Sequence, residues 1–210
     1  MKILGIIGGM SPESTATYYT EINRLVNQKK GGNISAPIVM VSVEFEEIVQ
    51  CQKQSEWQRA GEILAEAGKK LEMIGAEGIV LATNTMHKVA PQIERVLSIP
   101  FLHILDATAD AIKSRGLNKV ALLGTKFTMS DNFYRDGLIV RGITPIVPNE
   151  GAQNEIHRII FDELCVGKFL PTSKAFYLKI IDELKNQGAE GVILGCTEIG
   201  LLVNQRDSSL

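Results

Sequence analysis

The stretch Gly75-Ala76-Glu77-Gly78-Ile79-Val80-Leu81-Ala82-Thr83-Asn84-Thr85 holds a short, unbroken apolar run, Gly78–Ala82, that ends on polar residues. An apolar run without alternation is the pattern of a parallel strand covered on both faces. Nearly the same words return at Gly188-Ala189-Glu190-Gly191-Val192-Ile193-Leu194-Gly195-Cys196-Thr197-Glu198, an offset of 113 (188 minus 75). The first strand repeats too. Ile6-Ile7-Gly8-Gly9 sits against Leu122-Leu123-Gly124-Thr125, an offset of 116 (122 minus 6). Buried strands resemble one another in any case. Four identical residues opening an eleven-residue match, in the same order as a second match, argue instead for two related halves. We place them at 1–100 and 101–210, with the last residues returning to the first half.

The rest of the chain alternates strand and helix. Lys2–Gly8 reads as a buried strand, and Ser11-Pro12 as an N-cap with Pro in the first helical position. That helix runs to about Gln28. Pro37–Val43 is a strand, and Ser55–Ile74 a long amphipathic helix with Ile63, Leu64, Ala67, Leu71 and Ile74 near helical spacing. A helix starts near Thr85, Pro100–Ile104 is a short strand, and a helix follows over about 106–114. Val120–Gly124 is a strand. Helices follow at about 130–140, 152–164 and 172–187, with Gly191–Leu194 the last strand. Repeated βα units predict an α/β fold of two similar parallel-sheet halves related by a pseudo-twofold. The active site is then expected in a cleft between them, at the carboxyl ends of the strands.

Composition narrows the function. Lys+Arg 22 against Asp+Glu 24 leaves a net charge of −2, no basic surplus for a nucleic-acid or anionic-membrane partner. No apolar run approaches the ~20 residues of a membrane helix. The opening MKILGIIGGM is broken by Gly8-Gly9 and lacks a small-residue cleavage site, so it reads as a strand and not a signal peptide. Three cysteines, Cys51, Cys165 and Cys196, are an odd number without metal spacing, which points to a reduced, cytoplasmic setting. His87, His103 and His157 have no partners at metal spacing. Neither Gly-x-Gly-x-x-Gly nor a Gly-Lys-Ser/Thr loop occurs, so no nucleotide site is expected.

Under the repeat, Thr83 and Cys196 are counterparts. Two proton-handling groups on opposite faces of one carbon are what racemisation needs: one removes the α-proton and the other returns a proton to the opposite face. A cysteine suits this work, because neighbouring donors or a helix N-terminus can lower its ordinary pKa near ~8.5. Cys196 follows Gly195 at a strand end and opens the next helix, which would favour its thiolate. Free cysteine is more often a small buried hydrophobe; Cys51 and Cys165 are read that way. Thr83 alone would be a helix cap. His87, four residues on, could orient the Thr83 hydroxyl, though packing is the commoner role.

Four segments carry a resemblance that spans nearly the whole chain: Gly8-Gly9-Met10-Ser11-Pro12-Glu13-Ser14-Thr15, Thr83-Asn84-Thr85-Met86-His87, Gly124-Thr125-Lys126-Phe127-Thr128-Met129 and Gly195-Cys196-Thr197-Glu198-Ile199-Gly200. In this order they resemble the aspartate/glutamate racemases that work without pyridoxal phosphate. The Cys-Thr-Glu motif is similar to the aspartate racemase branch. Most members carry cysteine where this chain has Thr83. The Thr/Cys pair resembles a smaller subgroup that prefers L-substrates, as do Gln50-Cys51-Gln52 and Ile160-Phe161-Asp162-Glu163-Leu164-Cys165.

The resemblance implies an amino-acid racemase interconverting L- and D-aspartate or glutamate, a homodimer, with neither metal nor organic cofactor. It makes Thr83 and Cys196 catalytic. It places Met10, Ser11 and Gln52 against substrate, Thr83, Asn84 and Thr85 on one side of it, and Cys196, Thr197 and Glu198 on the other. Thr125 and Thr128, on the strand-end loop of the second half, are expected to meet a carboxylate. Asn84, Thr85, Thr197 and nearby backbone N–H groups are candidates to stabilise the carbanion. Glu198 either tunes Cys196 or offers its backbone N–H to a carboxylate. Family members continue beyond this chain's last residues with a strand, an Asp-Thr-Thr loop and a helix, so this chain is expected to be short or truncated. With one thiol in the pair, a one-cysteine decarboxylase or isomerase and a non-catalytic amino-acid-binding protein are the alternatives.

Overall fold

Strands β1 (Leu4–Gly8), β2 (Ile38–Ser42), β3 (Gly78–Leu81) and β4 (Phe101–Leu102) form one parallel sheet, ordered β2-β1-β3-β4, in a computed structural model that describes residues 1–210. Strands β5 (Lys119–Gly124), β6 (Thr144–Ile146) and β7 (Gly191–Gly195) form a second, ordered β6-β5-β7 and also parallel. The chain divides into two compact units, Met1–Ile104 and Leu105–Leu210. Each has its own core. Ile7, Ile48, Leu64, Leu71, Ile79 and Met86 are fully buried in the first. Leu123, Met129, Ile156, Tyr177 and Ile181 are fully buried in the second. Truncating one such side chain to alanine costs on the order of 2–5 kcal/mol.

The boundary falls after residue 104, not after residue 100, because β4 pairs with β3: Ile79 lies opposite Phe101 and Val80 opposite Leu102. Asp207 pairs with Lys174 at 2.7 Å, and Leu210 packs on the second core.

The sequence repeat has a structural cause. Leu4 lies opposite Gly78 in the first sheet, and Val120 opposite Gly191 in the second, the same register once the two offsets are applied. Gly75 and Gly188 end long helices with φ of 96° and 94°, a conformation that favours glycine. Ala76 and Ala189 follow, both buried, their N–H groups donating back to Leu71 and Leu184 carbonyls at 3.0 Å each. Glu77 then accepts the Ile3 N–H at 3.0 Å, while Glu190 accepts those of Asn118 and Lys119 at 2.8 and 3.0 Å. These carboxylates satisfy the exposed N–H groups where β1 and β5 begin. The Gly-Ala-Glu-Gly words therefore stop a helix, turn the chain and tie two adjacent strands.

The helices are α1 (Pro12–Lys30), α2 (Phe45–Lys53), α3 (Trp57–Met73), α4 (Ala90–Glu94) and α5 (Ile104–Lys113) in the first part of the chain. They continue as α6 (Lys126–Ser130), α7 (Asn132–Val140), α8 (Glu150–Asp162), α9 (Pro171–Asn186) and α10 (Ile199–Leu202), with 3-10 turns at Thr85–Val89 and Leu164–Val166. Ser11 caps α1 by accepting the Ser14 N–H, with Pro12 behind it, as the sequence implies. Three features depart from the sequence reading. Helix α2 was not expected, although Phe45, Ile48, Val49 and Gln52 stand at helical spacing and Glu44 caps it by accepting from the Glu46 and Glu47 N–H groups. Strand β6 carries Pro145, which only an edge strand tolerates. The helix expected at 130–140 is α7, which begins at Asn132; the short helix α6 before it was not expected, and Asp131, whose ψ of 142° is extended, divides the two.

Candidate active site

In each sheet the direction of strand addition reverses beside the first strand. The order β2-β1-β3-β4 makes the β1 and β3 ends neighbours, and β6-β5-β7 does the same for β5 and β7. Ligands of parallel sheets bind at such switch points, outside the carboxyl ends of the strands. The turns that leave these four ends carry Met10 and Ser11, Thr83 to Thr85, Thr125 and Thr128, and Cys196 to Glu198. Within the first unit the topology thus brings Met10, Ser11, Thr83, Asn84 and Thr85 to one edge. Within the second it does so for Thr125, Thr128, Cys196, Thr197 and Glu198.

Glycine makes these turns tight. A Cβ on Gly8 would collide with the Thr15 side chain, and one on Gly124 would stand 3.1 Å from both Thr128 Cβ and the Gly195 carbonyl. A Cβ on Gly195 would lie 2.9 Å from the Leu123 carbonyl. Thr15 fills the space over β1: its hydroxyl accepts the Gly9 N–H and donates to the Ser11 carbonyl, both at 2.8 Å. Thr125 caps α6 by accepting the Thr128 N–H, and the two threonine hydroxyls meet at 3.2 Å. Thr128 is wholly buried, so it packs the turn from beneath while Thr125 caps it.

On the β3 side, Thr83 and Asn84 are half-buried and Thr85 is buried. His87 does not reach the Thr83 hydroxyl. Its Nδ1–H donates to the Thr83 carbonyl at 2.7 Å, and its Nε2 accepts the Ile104 N–H at 3.2 Å. The ring is therefore the neutral Nδ1–H tautomer, assigned from these two bonds. Burial, and secondarily the His103 ring 4.7 Å away, pushes its pKa down to about 3. Gln52 of α2 is buried and donates from Nε2 to Met86 Sδ at 3.1 Å, so it is held against the same turn.

His87 gives a stability test. Its folded pKa lies below the unfolded value of 6.5. Between pH 6.5 and about 3 the unfolded chain binds a proton that the folded one refuses, so stability falls as pH drops. The slope is about 1.4 kcal/mol per pH unit. His87→Gln should flatten the acid limb by that amount, measured by urea unfolding between pH 7 and 4. Equal slopes in both proteins would exclude this role.

On the β7 side, Cys196 is half-buried and its thiol donates to Glu198 Oε2 at 3.0 Å. The sequence reading expects a helix dipole to favour the thiolate; the structure points the other way. Helix α10 is one turn long and begins only at Ile199. Burial pushes the Cys196 thiol well above its ordinary value, and the Glu198 carboxylate and Cys165 push it further. The resting sulfur is a neutral thiol aimed at a carboxylate. Glu198→Gln removes the adjacent negative charge and should move the thiol pKa down. The pH dependence of Cys196 alkylation, followed by peptide mass spectrometry, checks this; an unchanged or raised pKa would count against it.

No group of three or more His, Cys, Asp or Glu is placed to hold a metal ion, and no helix is long and apolar enough to cross a membrane. Cys51 is buried in the first core and Cys165 packs against the second; neither is in a disulfide.

The sequence profile of Asp/Glu/hydantoin racemases matches residues 7–210. The crystal structure of a candidate Asp/Glu racemase from Yersinia pestis is 49% identical, covers all of this chain and 92% of its own, and superposes with a TM-score of 0.93. An aspartate racemase homologue from Pyrococcus horikoshii is 39% identical with the same coverage and a TM-score of 0.85. The broad-specificity amino-acid racemase RacX of Bacillus subtilis is 22% identical over 99% of this chain and 90% of its own length. With its profile match running from β1 to the last residue, the chain belongs to the Asp/Glu/hydantoin racemase family and is an isomerase of the amino-acid racemase type.

Proposed function

We propose that the protein interconverts L- and D-aspartate or glutamate by proton transfer at the α-carbon, without pyridoxal phosphate or metal. The observation that supports this best is the matched register of the two sheets. It puts Thr83 and Cys196 on equivalent turns after equivalent strands, β3 and β7. Cys196 is the principal acid/base and Thr83 its weaker counterpart.

The chemistry follows from the state of Cys196. A neutral thiol held by Glu198 is poised to give a proton to an α-carbanion. To take one, it must first ionise beside a carboxylate. The substrate ammonium group offsets that negative charge and brings the thiol pKa down when substrate binds. Asn84, Thr85, Thr125 and Thr197 are proposed to receive the substrate carboxylate, with Thr128 fixing Thr125 from beneath. Met10, Ser11 and Gln52 complete the binding surface. We further propose a homodimer in the cytoplasm.

A chiral substrate panel run without added cofactor tests the reading. Aspartate and glutamate should lose optical purity, and chelators or carbonyl-trapping reagents should leave the rate unchanged. The single thiol at the paired turns is what favours the second reading, a one-cysteine decarboxylase. Release of carbon dioxide from L-aspartate, with no D-enantiomer formed, would replace the first reading with the second.

A further inference from the structure

His87 lies in the 3-10 turn Thr85–Val89, only 3% exposed, between the turn that carries Thr83 and the first residue of α5. Its imidazole uses both nitrogens on backbone. Nδ1–H donates to the Thr83 carbonyl at 2.7 Å, and Nε2 accepts the Ile104 N–H at 3.2 Å. The Ile104 N–H opens a helix, where no intrahelical acceptor is available to it. Two further rings hold the imidazole's orientation: His103 stands edge-on with its centroid 4.7 Å away, and Phe101 is tilted at 5.7 Å.

The repeat makes this support one-sided. At the offset of 113 that pairs Thr83 with Cys196, His87 falls on Gly200 (87 plus 113). Gly200 is exposed, and a Cβ there would meet nothing within 4 Å. The threonine turn has an imidazole clamp; at the matching place the cysteine turn has no side chain at all.

We infer that His87 is a positioning residue for Thr83, holding the β3 turn against the start of α5 so that the hydroxyl stays placed for proton delivery. The inference rests on the reading of Thr83 as the weaker acid/base. A weak acid works through placement, and misplacement by about 1 Å can cost on the order of 10²-fold in rate. The imidazole carries no proton in the reaction. Its bridge needs one N–H and one bare nitrogen, hence the neutral ring, and burial pushes its pKa down to about 3.

The test compares His87→Leu with His87→Asn. The two side chains are nearly isosteric, and both are too short to reach the Ile104 N–H; asparagine alone keeps a donor at the Nδ1 position. In heavy water, His87→Leu should lower inversion about 10- to 100-fold, while deuterium exchange into the enantiomer presented to Cys196 stays within about twofold. His87→Asn should restore most of the lost inversion rate. Equal loss of inversion and exchange in His87→Leu, the mark of a merely structural role, would overturn the inference. Parental inversion there, or no recovery in His87→Asn, would do the same. Amide hydrogen exchange across residues 83–87 should quicken in His87→Leu and return toward the parent in His87→Asn; equal exchange in the two would also overturn it. Should neither variant fold, nitrogen-15 NMR of labelled histidine in the parental protein decides. His87 should be the Nδ1–H tautomer from about pH 8 to about 5, and an Nε2–H tautomer or protonation in that range would sink the bridge. Neither hydrogen exchange nor the tautomer needs turnover. A parent inactive in the chiral panel would thus remove the racemase reading while these two measurements still report on the clamp.

Discussion

Cys196→Ala should lower racemisation from either enantiomer by about 10²–10⁴-fold, the usual contribution of a positioned acid/base. The fold should survive. Cys196 is half-buried at the margin of the second core, and alanine keeps the β7 turn that Gly195 makes possible. The measurement is chiral chromatography of reactions started from L- and from D-aspartate, beside a melting curve. Alkylation of the parental thiol should inactivate the enzyme, and bound substrate should protect it. Parental turnover in the alanine variant would remove Cys196 from the mechanism, and with it the whole thiol chemistry.

Thr83→Ala should separate two processes that the parent enzyme couples. Cys196 can still exchange the α-proton of the enantiomer that presents it to the thiol. Inversion needs a proton from the other face, and alanine has none to give. In heavy water the variant should wash deuterium into one enantiomer while inversion falls by about 10²-fold or more. Each factor of ten is about 1.4 kcal/mol of barrier. Thr83→Cys should match or exceed the parental rate, because a thiol is a far stronger acid than a hydroxyl. His87 holds the Thr83 backbone through its carbonyl and leaves the side chain to substitution, so the turn should tolerate both changes. Racemisation of both enantiomers at the parental rate by Thr83→Ala would leave a single-cysteine or water-mediated mechanism.

The sequence by itself determined the fold class, the repeat and the equivalence of the turns that carry Thr83 and Cys196. It could do so because each depends on local words. Apolar runs such as Ile6-Ile7 and Leu122-Leu123 mark buried strands wherever they occur. Gly-Ala-Glu-Gly encodes a helix stop and strand tie whose partners, Ile3 and Lys119, are fixed by the register that follows. Helix α2 was legible too, in the spacing of Phe45, Ile48, Val49 and Gln52, but its Glu-Phe-Glu-Glu opening hid the cap in a run of charge. Only the tertiary structure decided the state of the site. The sequence pattern favours a thiolate at a helix start. Burial and Glu198 make Cys196 a neutral thiol instead, since ionisation depends on what surrounds the sulfur in space. The tautomer of His87, set by Ile104 seventeen residues away, belongs to the same class. So does the burial of Thr128 beneath Gly124 and Gly195. Periodicity reports which side of an element meets the core; it carries no record of the dielectric and the charges that chain folding brings to one atom.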